Sequence, residues 1–295
     1  MSVSYPGQTR LPTYNRAEHP PPIHFMARDR AILEAVQSYD GILGDYQIQR
    51  LFFTGERQAR GRLSLLYHNG YLSRPNRKQR AGLDCMVYWL TRRGAAIVAG
   101  LGGEKLDTFK WRRQPRWSQI RHDLAVNDIR IAVTEACDRQ PYLELQEWIP
   151  EGVFWSQPDT VRYTSPKKGK AKRRVIPDGF CVIKSRGYHS RLLLEVDMRT
   201  EDNPRFGEEK VLPGIAYVRS EGYAQRFGYK SGRWLVVTTG ERRMLNLKQQ
   251  AERVGETSAR LFYFTTFAKV NASTVLTAPI WLRGGAAELQ PLFSA

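Results

Sequence analysis

The stretch TGERQARGRLSLLYHNG (residues 54–70) decides how the first third of the chain is read. At about 100° per residue, Ala59, Leu63, Leu66 and Tyr67 fall on one side of a helix. Arg57, Arg60, Gly61, Ser64 and His68 fall on the other. Thr54 suits the N-cap of a helix from Glu56 to Asn69, and Gly70 suits its stop. The polar face is cationic, hydrogen-bonding and small in the middle, a combination that suits the major groove of DNA. In isolation such a face is only a solvated surface, so its neighbours decide the reading.

Upstream, a helical pattern from Arg28 aligns Ile32, Leu33 and Val36. Gly41 and Gly44 break it, and Asp45 can cap a short helix carrying Ile48, Leu51 and Phe52. Downstream, Tyr71 to Arg74 and Leu83 to Leu90 read as two strands around a basic, turn-rich tip, Pro75 to Gly82. Thr91 then caps a helix from Arg92 to Val98. Three helices, a basic-tipped hairpin and a closing helix are the parts of a winged helix-turn-helix, expected over residues 26–100. Its expected DNA-binding set is Arg57, Arg60, Arg62, Ser64 and His68 on the third helix, with Arg77, Lys78 and Arg80 at the tip.

Charge supports the same partner. The 295 residues carry 46 Lys and Arg against 29 Asp and Glu, a net charge of +17. Such an excess repels itself and calls for a polyanion, here double-stranded DNA. Residues 1–118 hold 19 of the basic and 9 of the acidic residues, a net of +10, so contact should centre there. No apolar run approaches the roughly 20 residues of a membrane-spanning helix, and the N-terminus lacks the apolar core of a signal peptide. No membrane partner is expected, and the localisation is read as cytoplasmic. Cys85, Cys137 and Cys181 are too few and scattered for a disulfide framework or a thiolate metal site, and read as reduced thiols.

Composition divides the chain into a flexible or extended arm (1–25), the reading head (26–100), a basic linker (101–118), an α/β domain (119–283) and a tail (284–295). The α/β domain opens with a helix from Arg121 to Cys137, whose apolar positions are Leu124, Ile129, Ile131, Ala132 and Val133. Strands are expected at Tyr142 to Ile149, Val175 to Ile183, Ser190 to Val196, Arg233 to Thr239 and Leu261 to Thr266. Helices are expected from Glu208 to Arg226, interrupted at Pro213, and from Arg242 to Arg253. The consecutive apolar run Trp234 to Val237 suits a central strand covered on both faces. The basic stretch Pro166 to Arg174 reads as an exposed loop. This order gives an α/β fold, α+β for the whole chain.

Pro177-Asp178-Gly179 falls within the second strand, and Glu195-Val196-Asp197 ends the third. Glu195 and Asp197 share one side of an alternating strand, and Asp178 can join them from the neighbour. Three converging carboxylates need a hard cation, Mg²⁺ above all, or cationic side chains. Spacing alone fits paired surface carboxylates slightly better.

These motifs, together with His122, Leu124, Val126 and Asn127 on the opening helix and Glu147-Trp148 near the end of the first strand, resemble the PD-(D/E)XK nuclease-like fold. With a winged helix in front, residues 28–265 resemble the replication-relaxation family of plasmids and other mobile elements. The acidic motif runs on through Met198-Arg199-Thr200-Glu201. The resemblance implies DNA processing on a mobile element, without fixing a reaction. Working nucleases of this fold carry Lys two residues after the strand-three Glu, whereas here that position is Asp197. Arg199 or Lys210 could supply the missing cation. The expected catalytic set is therefore Asp178, Glu195, Asp197, Lys210, His122 and Glu147, with Asp178, Glu195 and Asp197 as Mg²⁺ ligands. Three functions follow: a DNA-binding initiator or accessory factor whose nuclease-like domain is an assembly platform, a Mg²⁺-dependent endonuclease or nickase, and a dimeric repressor binding a palindrome. Protein partners would be a second copy or the replication and mobilisation machinery.

Overall fold

Ile32, Leu33 and Val36 recur at the spacing that puts three side chains on one helical stripe, and all three are fully buried. They lie on α1 (Ala27–Ser38). The computed structural model describes residues 11–166, 169–199 and 203–294. The first ten residues of the expected arm, Lys167 and Lys168 of the basic stretch, Thr200 and Glu201 of the acidic motif, and Ala295 of the tail lie outside these. The chain divides into two units, Met1–Leu124 and Ala125–Ala295.

In the first unit α1 is followed by β1 (Leu43–Gly44), α2 (Asp45–Phe52), α3 (Glu56–His68), β2 (Leu72–Ser73), α4 (Arg77–Arg80), β3 (Val87–Leu90) and α5 (Arg92–Leu101). The strands form an antiparallel sheet in the order β1-β3-β2, pairing Leu43 with Tyr88 and Leu72 with Leu90. Strand β1 has no sequence signal, because two residues are too few to alternate. Two expected caps move. Asp45 is the first residue of α2, and Gly44 holds the cap position, its N–H donating to Gln47 Oε1 at 3.0 Å. Gly55 rather than Thr54 precedes α3, without a side-chain cap. Thr91 does cap α5, its Oγ1 accepting from the Gly94 N–H at 3.1 Å.

The tip between β2 and β3 is more ordered than a turn. Asn76 Oδ1 accepts from the Gln79 N–H at 2.9 Å and Gln79 Oε1 from the Asn76 N–H at 3.0 Å, a reciprocal cap that starts α4. Residues 101–118 are tied down as well. Lys110 O accepts from Gln37 Nε2 at 2.9 Å, and Arg112 pairs with Asp40 at 2.8 Å and Asp123 at 3.0 Å.

The division falls within α6 (Ile120–Arg139). The second unit continues through β4 (Leu143–Pro150), α7 (Glu151–Ser156), β5 (Asp159–Ser165), β6 (Gly169–Val175), β7 (Gly179–Ser185), β8 (Tyr188–Asp197), α8 (Asn203–Phe206), a π-turn at Gly207–Val211, α9 (Leu212–Val218), α10 (Glu221–Phe227), β9 (Arg233–Thr238), α11 (Glu241–Gly255), β10 (Phe262–Thr266), β11 (Trp281–Arg283) and β12 (Leu289–Gln290). A seven-stranded mixed sheet runs β12-β11-β10-β9-β8-β7-β4, with β8, β9 and β10 mutually parallel. Alternation along β8 serves two cores. Leu192, Leu194 and Val196 pack with Ile129, Val133 and Ala136 of α6, while Leu193 packs with Val211, Ile215, Met244 and Leu247 on the opposite face. The fold is thus mixed α/β, and burial on both faces accounts for the unbroken apolar run in β9.

Three expectations for this unit need correction. The second expected strand is broken at Ile176-Pro177-Asp178, so Asp178 precedes β7. The basic stretch is not a loop, because its residues from Gly169 form β6, paired with β5 from Asp159↔Val175 to Ser165↔Gly169. Pro213 does not interrupt the long helix. It sits in the first turn of α9, where no N–H is needed, and the break falls at Ser220, whose hydroxyl caps α10.

Candidate nucleic-acid interface and acidic site

On α3, Ala59, Leu63, Leu66 and Tyr67 are buried, while Arg57, Arg60 and Gly61 are exposed and Ser64 half-buried. Arg60 pairs with Glu56, but both side chains are at least 70% exposed, so water and salt screen the pair heavily. Arg77 and Lys78 are exposed on α4, and Arg80 is half-buried with a bond to Leu83 O. Burial raises the Asp45 carboxyl above its ordinary range, and the Tyr46 N–H, Arg80 and Arg60 pull it back. Arg60 of α3 and Arg80 of the tip thus both bear on the Asp45 carboxylate.

Two residues expected on that surface are taken up internally. Arg62 Nε donates to Asp29 Oδ1 at 2.6 Å, Nη2 pairs with Oδ2, and the same nitrogen donates to His24 O at 2.7 Å. The Asp29 side chain is fully buried, so Arg62 anchors α3 to α1. His68 is 4% exposed, and its Nδ1 accepts from the Ala17 N–H at 2.9 Å. The segment preceding α1 covers it: Tyr67 OH donates to Tyr14 O, and Asn69 Nδ2 to Pro21 O. Burial lowers the His68 pKa first, and Arg74 and Arg16 lower it further.

In the second unit, Asp178 and Glu195 meet where β7 begins beside β8. Gly179 pairs with Leu194, and the Asp178 N–H donates to Leu194 O at 2.9 Å, so the next register step sets Asp178 against Glu195. Asp178 Oδ2 accepts from the Val196 N–H at 2.6 Å. A Cβ at position 179 would lie 3.0 Å from Trp148 Cζ2, so glycine lets the indole close over this corner. Lys210 Nζ lies 2.6 Å from Glu195 Oε1, and the Glu195 side chain is only 9% exposed.

Asp197 is engaged differently. Its Oδ1 accepts from Arg243 Nη2 at 2.8 Å, and its Oδ2 from Arg243 Nε at 2.9 Å and from Thr238 Oγ1 at 2.6 Å. That is a bidentate fork on a buried carboxylate. Among the described residues no three His, Cys, Asp or Glu side chains gather closely enough to hold a metal ion. Of the three carboxylates expected to converge, Asp178 and Glu195 meet, while Asp197 is held by Arg243 in the place of a cation.

The model of the family described as replication-relaxation matches residues 38–228, more than half of the chain. The chain belongs to the replication-relaxation family. No curated protein and no solved structure matches it. Among the described residues no helix is long and apolar enough to cross a membrane.

The remaining two expected site residues of this replication-relaxation chain are His122 and Glu147. His122 belongs to the first unit, where its Nδ1 is 3.5 Å from Asp123 Oδ1. Burial raises the Asp123 carboxyl, but His122, Arg116 and Arg112 outweigh it, and the net shift is downward. Glu147 is exposed on β4 opposite Val182, and lines a shallow groove with His189 and Arg191 rather than the Asp178 corner. Cys137 and Cys181 are buried free thiols, and burial pushes Cys137 up to about 11. Sequence reasoning missed Arg243, Thr238 and the docking of β5 and β6. Ser165 Oγ donates to Glu208 at 2.6 Å and Arg173 pairs with Glu209 at 2.8 Å, so the π-turn that presents Lys210 is held by the hairpin. The one signal available was the Glu208-Glu209-Lys210 triplet ahead of a proline.

Proposed function

We propose that this chain is a DNA-binding protein acting in the replication or relaxation of a plasmid or other mobile element. Its first unit is read as a winged helix-turn-helix and its second as a PD-(D/E)XK nuclease-like domain. The carrying observation is the exposed face of α3, Arg57 and Arg60 around Gly61, with Arg77 and Lys78 exposed on the neighbouring tip. A helix of that character enters the major groove while the tip meets phosphates. Family membership supports the biological setting. Titrating a labelled duplex with the natural chain and with Arg57→Ala/Arg60→Ala tests this. The variant should bind more weakly at low salt, with the difference narrowing as salt rises, and equal binding would refute the reading.

Helix α6, then β4, β7 and β8, with Pro177-Asp178 leading β7 and Glu195 near the end of β8, supports the nuclease-like reading of the second unit. We read that domain as a binding and assembly platform, because the position two residues after Glu195, which calls for Lys, holds Asp197, tied to Arg243.

A second reading, a Mg²⁺-dependent endonuclease or nickase, is favoured by the contact between Lys210 and Glu195. The donors fit a two-carboxylate set, Asp178 and Glu195, and not the three-carboxylate set. Bound there, Mg²⁺ would supply Lewis-acid activation of a phosphodiester. Lys210 would hold the Glu195 carboxylate in place, and Asp178 would be oriented by the Val196 N–H. Supercoiled plasmid incubated with Mg²⁺ separates the two readings. Nicking that Asp178→Ala and Glu195→Ala both abolish establishes the second, and an unchanged supercoiled band leaves the platform.

A further inference from the structure

The parallel strands β8, β9 and β10 end in Asp197, Thr238 and Thr266, and the acidic corner lies at that end. Their opposite ends open on a cleft of about 420 Å³ with the reverse charge. Arg191, Arg219, Lys230, Arg233, Arg260 and Arg283 all line it, and among the described residues no carboxylate does. The register Leu192↔Arg233 at one end and Asp197↔Thr238 at the other puts the two sites about 16 Å apart along the strands, at one residue rise per step.

Six cations in one cleft repel each other, and five of them are guanidiniums. None of the six makes an ion pair among the described residues; their contacts are with neutral partners. Arg219 donates to Ser258 Oγ at 2.7 Å, and Arg283 Nε to Arg260 O at 3.0 Å. Arg233 and Arg283 flank the Tyr263 ring, at 5.6 and 5.8 Å from its centroid. Folding therefore assembles a positive site that no carboxylate among the described residues neutralises. An anion with several oxygens removes that cost, and guanidinium forks match phosphate in particular.

Aromatic rings accompany the cations. Arg191 lies over the Tyr229 ring at 3.4 Å from the centroid, and Tyr229 is 54% exposed. Tyr188, two residues ahead of the lining residue Ser190, is 81% exposed. Cations that follow a backbone, beside rings on which bases stack, are the ingredients of a single-strand track. A volume of about 420 Å³ is that of a site for a few groups of a ligand, far less than the bulk of a duplex turn.

We propose that this cleft binds the phosphodiester backbone of a single DNA strand, a second nucleic-acid site separate from α3. The proposal shares the class of partner with the reading above, but not the surface. The test uses the full chain with Arg57→Ala/Arg60→Ala as background, so that α3 is silenced. A single-stranded oligonucleotide should still bind. Adding Lys230→Gln/Arg260→Gln should lower the slope of log affinity against log salt by about 1.4, two contacts at about 0.7 each for a single strand. Arg242→Gln/Arg253→Gln, the same charge change on α11, should leave the slope unaltered. In the unsubstituted chain, hydrogen exchange across residues 229–233 and 258–261 should slow when the oligonucleotide is added, which keeps the test open if a variant misfolds. An unchanged slope, or exchange unaffected by the strand, overturns the proposal. So does competition by a free deoxynucleotide or inorganic phosphate at the same phosphate concentration, which would mark a small-ligand pocket. If Arg57→Ala/Arg60→Ala has no effect on duplex binding, the α3 reading falls while this one stands.

Discussion

Lys210 Nζ reaches Glu195 Oε1 at 2.6 Å from a π-turn, bringing a cation to the strand-three glutamate from the following helical segment rather than from the strand itself. A π-turn shifts the residues it carries around the helix axis, and such turns concentrate at functional sites. Glu208 and Glu209 of the same turn face Ser165 and Arg173, which leaves Lys210 directed to the sheet.

Removing that cation exposes the cost of the buried carboxylate. Lys210→Met should lower stability by about 2 kcal/mol, less than for a fully buried pair because Lys210 is partly exposed. Glu195→Gln added to it should recover most of the loss. Urea denaturation of the two singles and the double measures the coupling, and additive losses would mean the contact carries no energy.

Arg243 and Asp197 make a tighter case. Arg243→Met leaves a carboxylate that is 7% exposed with only Thr238 beside it, and should cost about 3 kcal/mol. The paired change Asp197→Asn/Arg243→Met should sit closer to the natural protein than either single. If Arg243→Met were instead neutral in thermal unfolding, Asp197 would be free to serve as a ligand.

Arg62 separates folding from recognition. Arg62→Ala strands the fully buried Asp29 and should cost about 3 kcal/mol. The fraction that remains folded should bind duplex as tightly as the natural chain. Affinity lost in proportion to that of Arg57→Ala would return Arg62 to the interface.

His68 makes the first unit sensitive to acid. Burial, then Arg74 and Arg16, hold its folded pKa below the ordinary value, so the unfolded chain takes up the proton first. This contribution to stability is complete above the unfolded value of about 6.5 and is lost as pH falls through the folded one. Stability measured from pH 7.5 to pH 5 should decline, and His68→Gln should flatten that decline. Parallel curves for the two proteins would assign the acid sensitivity to other groups.

Where one face of an element is buried, the sequence was readable. Ile32, Leu33 and Val36, or Ala59, Leu63, Leu66 and Tyr67, recur at the helical period because one stripe meets the core. Thr54 misled because a capping side chain is a local signal, whereas the entry to α3 is set by Gly55. Strand β6 was hidden because its hairpin lies off the main sheet and buries little beyond Val175, so basic residues fill its alternation. His68 and Arg62 read as surface residues since helical spacing gives direction but not what lies over it: Ala17 covers one and Asp29 binds the other. The Asp178 and Glu195 pairing was legible from two short motifs on neighbouring strands. Arg243, from a helix far along the chain, was not.

On the proposed reading, α3 and its neighbouring tip are the duplex-binding surface. Salt-dependent titration of a duplex against the natural chain and an Arg57→Ala/Arg60→Ala/Arg77→Ala/Lys78→Ala variant tests it most directly. Each lost phosphate contact should lower the log–log slope by about 0.9, so the variant should be shallower by about 2 to 4, with its fold intact. Superimposable slopes and affinities for the two proteins would rule out this surface as the duplex site.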